Sequence, residues 1–108
     1  MSRFGLYTKI VARAGQRDAL VEVLVDAAAA LQPVADCALY VVSTAATEPD
    51  TVWVTEVWSS QEAHQAYLAT DAFKVALDRG RPLIEGVGEQ IEIVPVGGKG
   101  LPASHATP

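Results

Sequence analysis

A single cysteine, Cys37, occurs in the 108 residues. That excludes an intramolecular disulfide framework and a cysteine-based structural zinc site. Histidine is nearly as scarce: of His64 and His105, only His64 lies in a segment expected to fold. There is no H-E-x-x-H pattern, no Gly-x-Ser-x-Gly turn and no phosphate loop; Gly97-Gly98-Lys99-Gly100 lacks both the spacing and the following helix. No metal site is expected. Basic residues are outnumbered, 8 Lys and Arg against 13 Asp and Glu, for a formal net charge of -5. No segment supplies the basic patch that a nucleic acid needs, so none is expected as a partner. Long apolar runs are missing too. Residues 19–31, the longest such stretch, carry Glu22 and Asp26 and are too short to span a bilayer, and residues 1–10 hold no signal-peptide core. A cytoplasmic protein with no membrane partner is the expectation.

What is abundant is apolar surface. Hydrophobic residues make up 50% of the chain and charged residues 19%, enough to offset chain entropy in one small domain. Half apolar is rich for a lone domain of this size, which points to a second copy covering part of it.

Residues 4–11 read as a strand, ended by Ala14-Gly15. Residues 16–31 read as a helix, because Leu20, Val23, Leu24, Ala27 and Leu31 share one face at helical spacing and an alanine run supports it; Gln32-Pro33 ends it. Residues 38–44 and 51–58 read as a hairpin joined by a turn around Pro49-Asp50. Ser59 with Glu62 fits a capping box, opening a second helix over residues 60–79, with Gly80 as its C-cap and Pro82 preventing continuation. Residues 83–88 read as a loop and 90–96 as the last strand. The order is β-α-β-β-α-β, the ferredoxin-like α+β pattern of an antiparallel four-stranded sheet with both helices on one face. The domain spans residues 1–96, and the Gly/Pro/Ser-rich residues 97–108 read as a mobile tail.

In the third strand Val52, Val54, Glu56 and Trp58 alternate with Trp53, Thr55 and Val57. Neither set is polar enough for a solvated face. The helices cover one, and sheet-on-sheet stacking of a homodimer covers the other.

The candidate chemistry gathers on the third strand and second helix. Trp53, Trp58, Tyr67 and Phe73 are candidates to line a pocket for a flat ligand, against the reading that Phe73 and one Trp are ordinary core. His64 is a candidate base near neutral pH, against a solvated place in a polar first turn. Arg79 is a candidate to stabilise an anion. Glu56, the one charge in an apolar strand, needs a purpose or a structural arginine partner. Cys37 reads as a small buried hydrophobe.

Several stretches together resemble the antibiotic biosynthesis monooxygenase domain family of the dimeric α/β-barrel type. They are the Val-Ala-Asp-Cys-Ala-Leu-Tyr run at 34–40, the hairpin at 48–58 with its Glu-x-Trp ending, Ser-Gln-Glu-Ala-His-Gln-Ala-Tyr-Leu at 60–68, and Asp-Ala-Phe at 71–73. The resemblance covers residues 4–96. It implies a ferredoxin-like monomer that pairs through its sheets, with a pocket between sheet and helices. Members include oxygenases of quinols or anthrone-type polyketides that use O2 without metal or flavin, haem-degrading enzymes, isomerases, and proteins without known activity. Tyr67, Thr8 and Leu77 stand where the haem-degrading members carry a tryptophan, an asparagine and the iron-ligating histidine, so haem degradation is not implied. Quinol-type members carry a histidine near the position of Tyr67, and this chain has His64 one turn earlier. The resemblance therefore implies a cofactor-independent monooxygenase of a small dihydroxy-aromatic. His64 and Tyr67 would be its proton-transfer residues, and Trp53, Glu56, Trp58, Phe73 and Arg79 would bind substrate. A non-catalytic small-molecule binding protein and a non-oxidative isomerase are the alternatives.

Overall fold

A computed structural model describes residues 2–101 of the chain. The elements are β1 (Phe4–Ala12), α1 (Arg17–Ala30), β2 (Cys37–Thr44), β3 (Thr51–Trp58), α2 (Gln61–Leu68), α3 (Asp71–Gly80), a 3-10 turn (Arg81–Leu83) and β4 (Ile84–Ile93). The strands form one antiparallel sheet in the order β2-β3-β1-β4, the ferredoxin-like arrangement. No helix among the described residues is long and apolar enough to cross a membrane.

Alternation assigns the faces. Leu6, Thr8, Val52, Val54, Glu56 and Trp58 are all buried, and they occupy alternate positions of the two central strands. α1 lays its buried Leu20, Val23 and Ala27 over this side. On the opposite side Val41, Thr55, Tyr7 and Ile91 form one row across all the strands, and Tyr7, Val41 and Ile91 are exposed.

Three local expectations need correction. The expected single helix over 60–79 is two. Thr70 breaks it: its Oγ1 donates to the Tyr67 carbonyl at 2.7 Å and accepts from the Phe73 amide at 3.2 Å. The hydroxyl thus closes α2 and caps α3, a competition with the helical backbone that helical spacing alone does not reveal. The cap of α2 is Ser60 rather than Ser59. Ser60 Oγ accepts from the Ala63 amide at 3.1 Å, while Ser59 is drawn to the α1–β2 connection, donating through Oγ to Asp36 Oδ1 at 2.8 Å. The third correction concerns β4, which starts at Ile84 rather than 90. Residues 83–88, read as a loop, instead hold the end of the 3-10 turn and the start of this strand, with Gly86 and Gly88 inside it. The β1–β4 register shifts between Thr8 and Ile10, and a Cβ at Gly88 would sit 3.1 Å from Lys9 Cδ. Glycine here marks a bulge with close approach of Lys9. The expected tail is described only to Leu101; residues 102–108 lie outside the described residues.

Candidate active site

The core under the helices is divided. One buried cluster holds Phe4, Leu6, Leu31 and Trp58, and the other holds Ala12, Leu20 and Val52. Between sheet and helices lies a cavity of about 230 Å³, small beside the several hundred Å³ of sites that enclose drug-sized molecules. Glu56, Tyr40, His64, Tyr67, Thr8 and Gln90 supply its polar lining, and no Lys or Arg lines it. Among the described residues no three His, Cys, Asp or Glu side chains group as a metal site.

Glu56 is positioned by strand pairing. Its cross-strand partners are Leu6 on β1 and Tyr40 on β2, so the carboxylate rises from the cavity floor beside the Tyr40 ring. It is 8% exposed. The Trp58 indole N–H donates to Oε1 at 3.0 Å, a bond within β3 made possible because residues two apart share a face. His64 Nε2 stands 3.7 Å from the same oxygen. No hydrogen bond reaches Oε2 among the described residues. Burial raises the Glu56 pKa from its ordinary 4.5, and the indole bond partly counters that.

His64 is held by rings. Its centroid lies 5.0 Å from Phe4 and, edge-on, 5.5 Å from Trp58. Burial lowers its pKa from 6.5, so at neutral pH the imidazole is uncharged and the approach to Glu56 is a polar contact, not an ion pair. Nδ1 is buried and has no hydrogen-bond partner among the described residues. The ring series continues through Tyr67, which stacks on Trp58 at 5.2 Å, to Phe73 at 5.4 Å. Burial, reinforced by the Glu56 charge, pushes the Tyr40 phenol well above its ordinary 10.0. Tyr67 moves the same way for the same leading cause. Both remain protonated and serve as donors, not bases.

The cavity thus brings together Glu56, His64, Tyr67 and Phe73, while Trp58 backs them from the core. Two sequence candidates stand apart. Trp53 pairs with Lys9 and Ser43 on the sheet side away from the helices. Arg79 points outward and donates to Asp26 Oδ2 at 3.1 Å, an exposed pair between α3 and α1, so among the described residues no Lys or Arg reaches the cavity to hold an anion. Glu56 has an indole and an imidazole beside it, not the structural arginine considered from sequence, and His64 is buried, not solvated. Tyr40 and Gln90 escaped the sequence reading as site residues, and Thr8 entered it only through the comparison with the haem-degrading members. Tyr40 was recoverable from hairpin register, since it pairs with Glu56; the Gln90–Thr8 contact depends on the register between β1 and β4, strands far apart in the chain, and had no local signal. Cys37 is half-buried with a thiol pKa raised chiefly by burial, which makes it a poor nucleophile.

The sequence model of the antibiotic biosynthesis monooxygenase family matches residues 3–79. The chain belongs to that family. A crystal structure of a candidate antibiotic biosynthesis monooxygenase from Chloroflexus aurantiacus is 44% identical, covers 94% of this chain and 100% of its own, and superposes with a TM-score of 0.85. A second, from Deinococcus radiodurans, is 25% identical over 89% of this chain and 93% of its own, with a TM-score of 0.70. One from Caulobacter crescentus, at 20% identity, covers 91% of this chain and 92% of its own at a TM-score of 0.76 and speaks for the fold alone. No curated protein matches the chain. The antibiotic biosynthesis monooxygenase match stops at Arg79, so it covers Glu56, His64 and Tyr67 and leaves out β4, which carries Gln90.

Proposed function

We propose that this chain is a monooxygenase of a small dihydroxy-aromatic, of quinol or anthrone type, in which Glu56 receives the phenolic proton and no metal or flavin takes part. The observation that carries the reading is a carboxylate on the floor of an apolar cavity, fixed at one oxygen by an indole N–H and unbonded at the other. A phenol ionises near pH 10, so transfer to an ordinary carboxylate is uphill by roughly 8 kcal/mol. Burial of Glu56 narrows that gap by raising its affinity for a proton. Tyr40 and Tyr67, held as neutral donors, narrow it further by stabilising the phenolate oxygen. Neutral His64 beside Oε1 adds no competing positive charge and positions the carboxylate.

The substrate anion is itself the reductant. It passes one electron to dioxygen, the two radicals combine at a ring carbon, and the resulting peroxide loses water to leave a carbonyl. One oxygen atom enters the ring and the other leaves as water. The substrate supplies all four electrons and both hydrogens, so no outside donor is required.

The proposal includes a homodimer. The row of Tyr7, Val41 and Ile91, 38%, 42% and 43% exposed, is an apolar sheet face that a second copy covers by stacking; light scattering reads this directly. A second reading is binding without turnover: among the described residues His64 Nδ1 has no partner, so no second group orients the imidazole for proton transfer and Glu56 is left without a base-and-orienter pair. Oxygen uptake with a naphthohydroquinone, chelator present and autoxidation subtracted, separates the two. The oxygenase gives a protein-dependent rate, and binding alone gives none.

A further inference from the structure

Across the cavity floor from Glu56 lies a second polar pair that the steps above do not use. Gln90 Nε2 donates to Thr8 Oγ1 at 3.3 Å, and both residues line the cavity. Thr8 is buried at 8% exposure. The two are cross-strand partners on β1 and β4, as Tyr40 and Glu56 are on β2 and β3. Leu6, opposite Glu56, and Val54, opposite Thr8, complete the floor between the pairs. The floor is therefore apolar except at two diagonal corners. Diagonal neighbours on adjacent antiparallel strands lie about 7–8 Å apart, with their Cβ atoms somewhat closer, a span suited to one aromatic ring with a hydrogen bond at each edge.

The corners differ in chemistry. A Glu56 carboxylate only accepts. Thr8 accepts from Gln90 and keeps its own hydroxyl proton to give, while the Gln90 carbonyl oxygen can accept. The second corner therefore suits a hydroxyl or a carbonyl equally. No Lys or Arg lines the cavity, so an anionic ligand would meet Glu56 with nothing to compensate its desolvation.

We propose that the Thr8–Gln90 pair is the second anchor of the cavity's ligand, taking a hydroxyl or carbonyl at the ring edge opposite the hydroxyl on Glu56, and that the cavity selects against anionic ligands. This rests on the proposed function only in taking the cavity as the site; it concerns binding and is independent of turnover.

The test is ligand binding under argon, followed by tryptophan fluorescence, with three probes: a naphthohydroquinone, a naphthol lacking the second hydroxyl, and a hydroxynaphthoate carrying a carboxylate. The wild type should bind the naphthohydroquinone about tenfold more tightly than the naphthol, the yield of one neutral hydrogen bond, and should bind the hydroxynaphthoate least. Thr8→Val, which keeps the shape and removes the hydroxyl, should erase the tenfold preference while naphthol affinity stays unchanged. Gln90→Leu, at an exposed position on an edge strand, should reduce the preference without threatening the fold. Equal affinity for the first two probes, a Thr8→Val loss shared equally by both, tightest binding of the hydroxynaphthoate, or no binding at millimolar probe would each overturn the proposal. Oxygen uptake is measured separately. A preserved preference without uptake removes the oxygenase and leaves the two-corner site, and uptake without preference does the reverse.

Discussion

The two core clusters under the sheet are built from different materials. Ala12, Leu20 and Val52 form an aliphatic patch, with Leu20 and Val52 at 0% exposure. Phe4, Leu6, Leu31 and Trp58 form the other, and it packs against Tyr40, Tyr67 and the half-buried Cys37. Aliphatic packing carries no polar atom to satisfy and contributes mainly stability. The aromatic cluster admits a carboxylate and an imidazole because the Trp58 N–H can answer one and the ring edges can enclose the other. The two clusters thus differ in the polar groups they admit, although Leu20 of the aliphatic one also lines the cavity.

Substitutions in the two clusters should diverge. Trp58→Phe keeps a ring and deletes the N–H. It should cost about 2 kcal/mol where Glu56 is ionised, the range of a hydrogen bond to a charged group. Without that bond the Glu56 pKa rises further, so the acid limb of the rate profile should move to higher pH. An unmoved limb would separate Trp58 from the chemistry. Val52→Ala lies outside the cavity lining and should cost roughly 2 kcal/mol of unfolding free energy, read by denaturant titration, with ligand affinity unchanged. An equal loss of affinity would mean the clusters are not separable.

The smallest effect concerns pH. The folded pKa of Glu56 is raised above 4.5, so its contribution to stability is fully present below pH 4.5 and is lost as pH rises through the folded value. His64 acts in the opposite direction. Its folded pKa is lowered, so its contribution is present above pH 6.5 and is lost as pH falls through the folded value. Glu56→Gln removes the first and leaves the second. The Tm of the variant should pull ahead of the wild type as pH rises from 4.5 and then hold a constant lead. A difference flat across that range would contradict the burial of the charge.

Much of this was legible residue by residue. Alternation in β3 separated Trp53 from Trp58, and the lone charge in that strand singled out Glu56. Parity alone does not say which set meets the helices, because both carry a tryptophan and valines. The burial of Glu56 and the outward row of Tyr7, Val41 and Ile91 decide it. Arg79 looked like an anion holder because a sequence shows a charge without its direction; on the last turn of α3 it meets Asp26 of α1 instead. The helix break at Thr70 comes from a side-chain hydroxyl, and Gly88 lies where a Cβ would crowd Lys9 of the neighbouring strand, contacts that periodicity does not encode.

In the proposed oxygenase Glu56 takes the substrate proton inside the cavity. Glu56→Gln is nearly isosteric, keeps an acceptor for the Trp58 indole and cannot take that proton. With a naphthohydroquinone as substrate, oxygen uptake should fall about 10²- to 10⁴-fold, the usual share of a general base, while naphthol affinity changes only a few-fold. A variant that consumes oxygen at the wild-type rate would contradict the account.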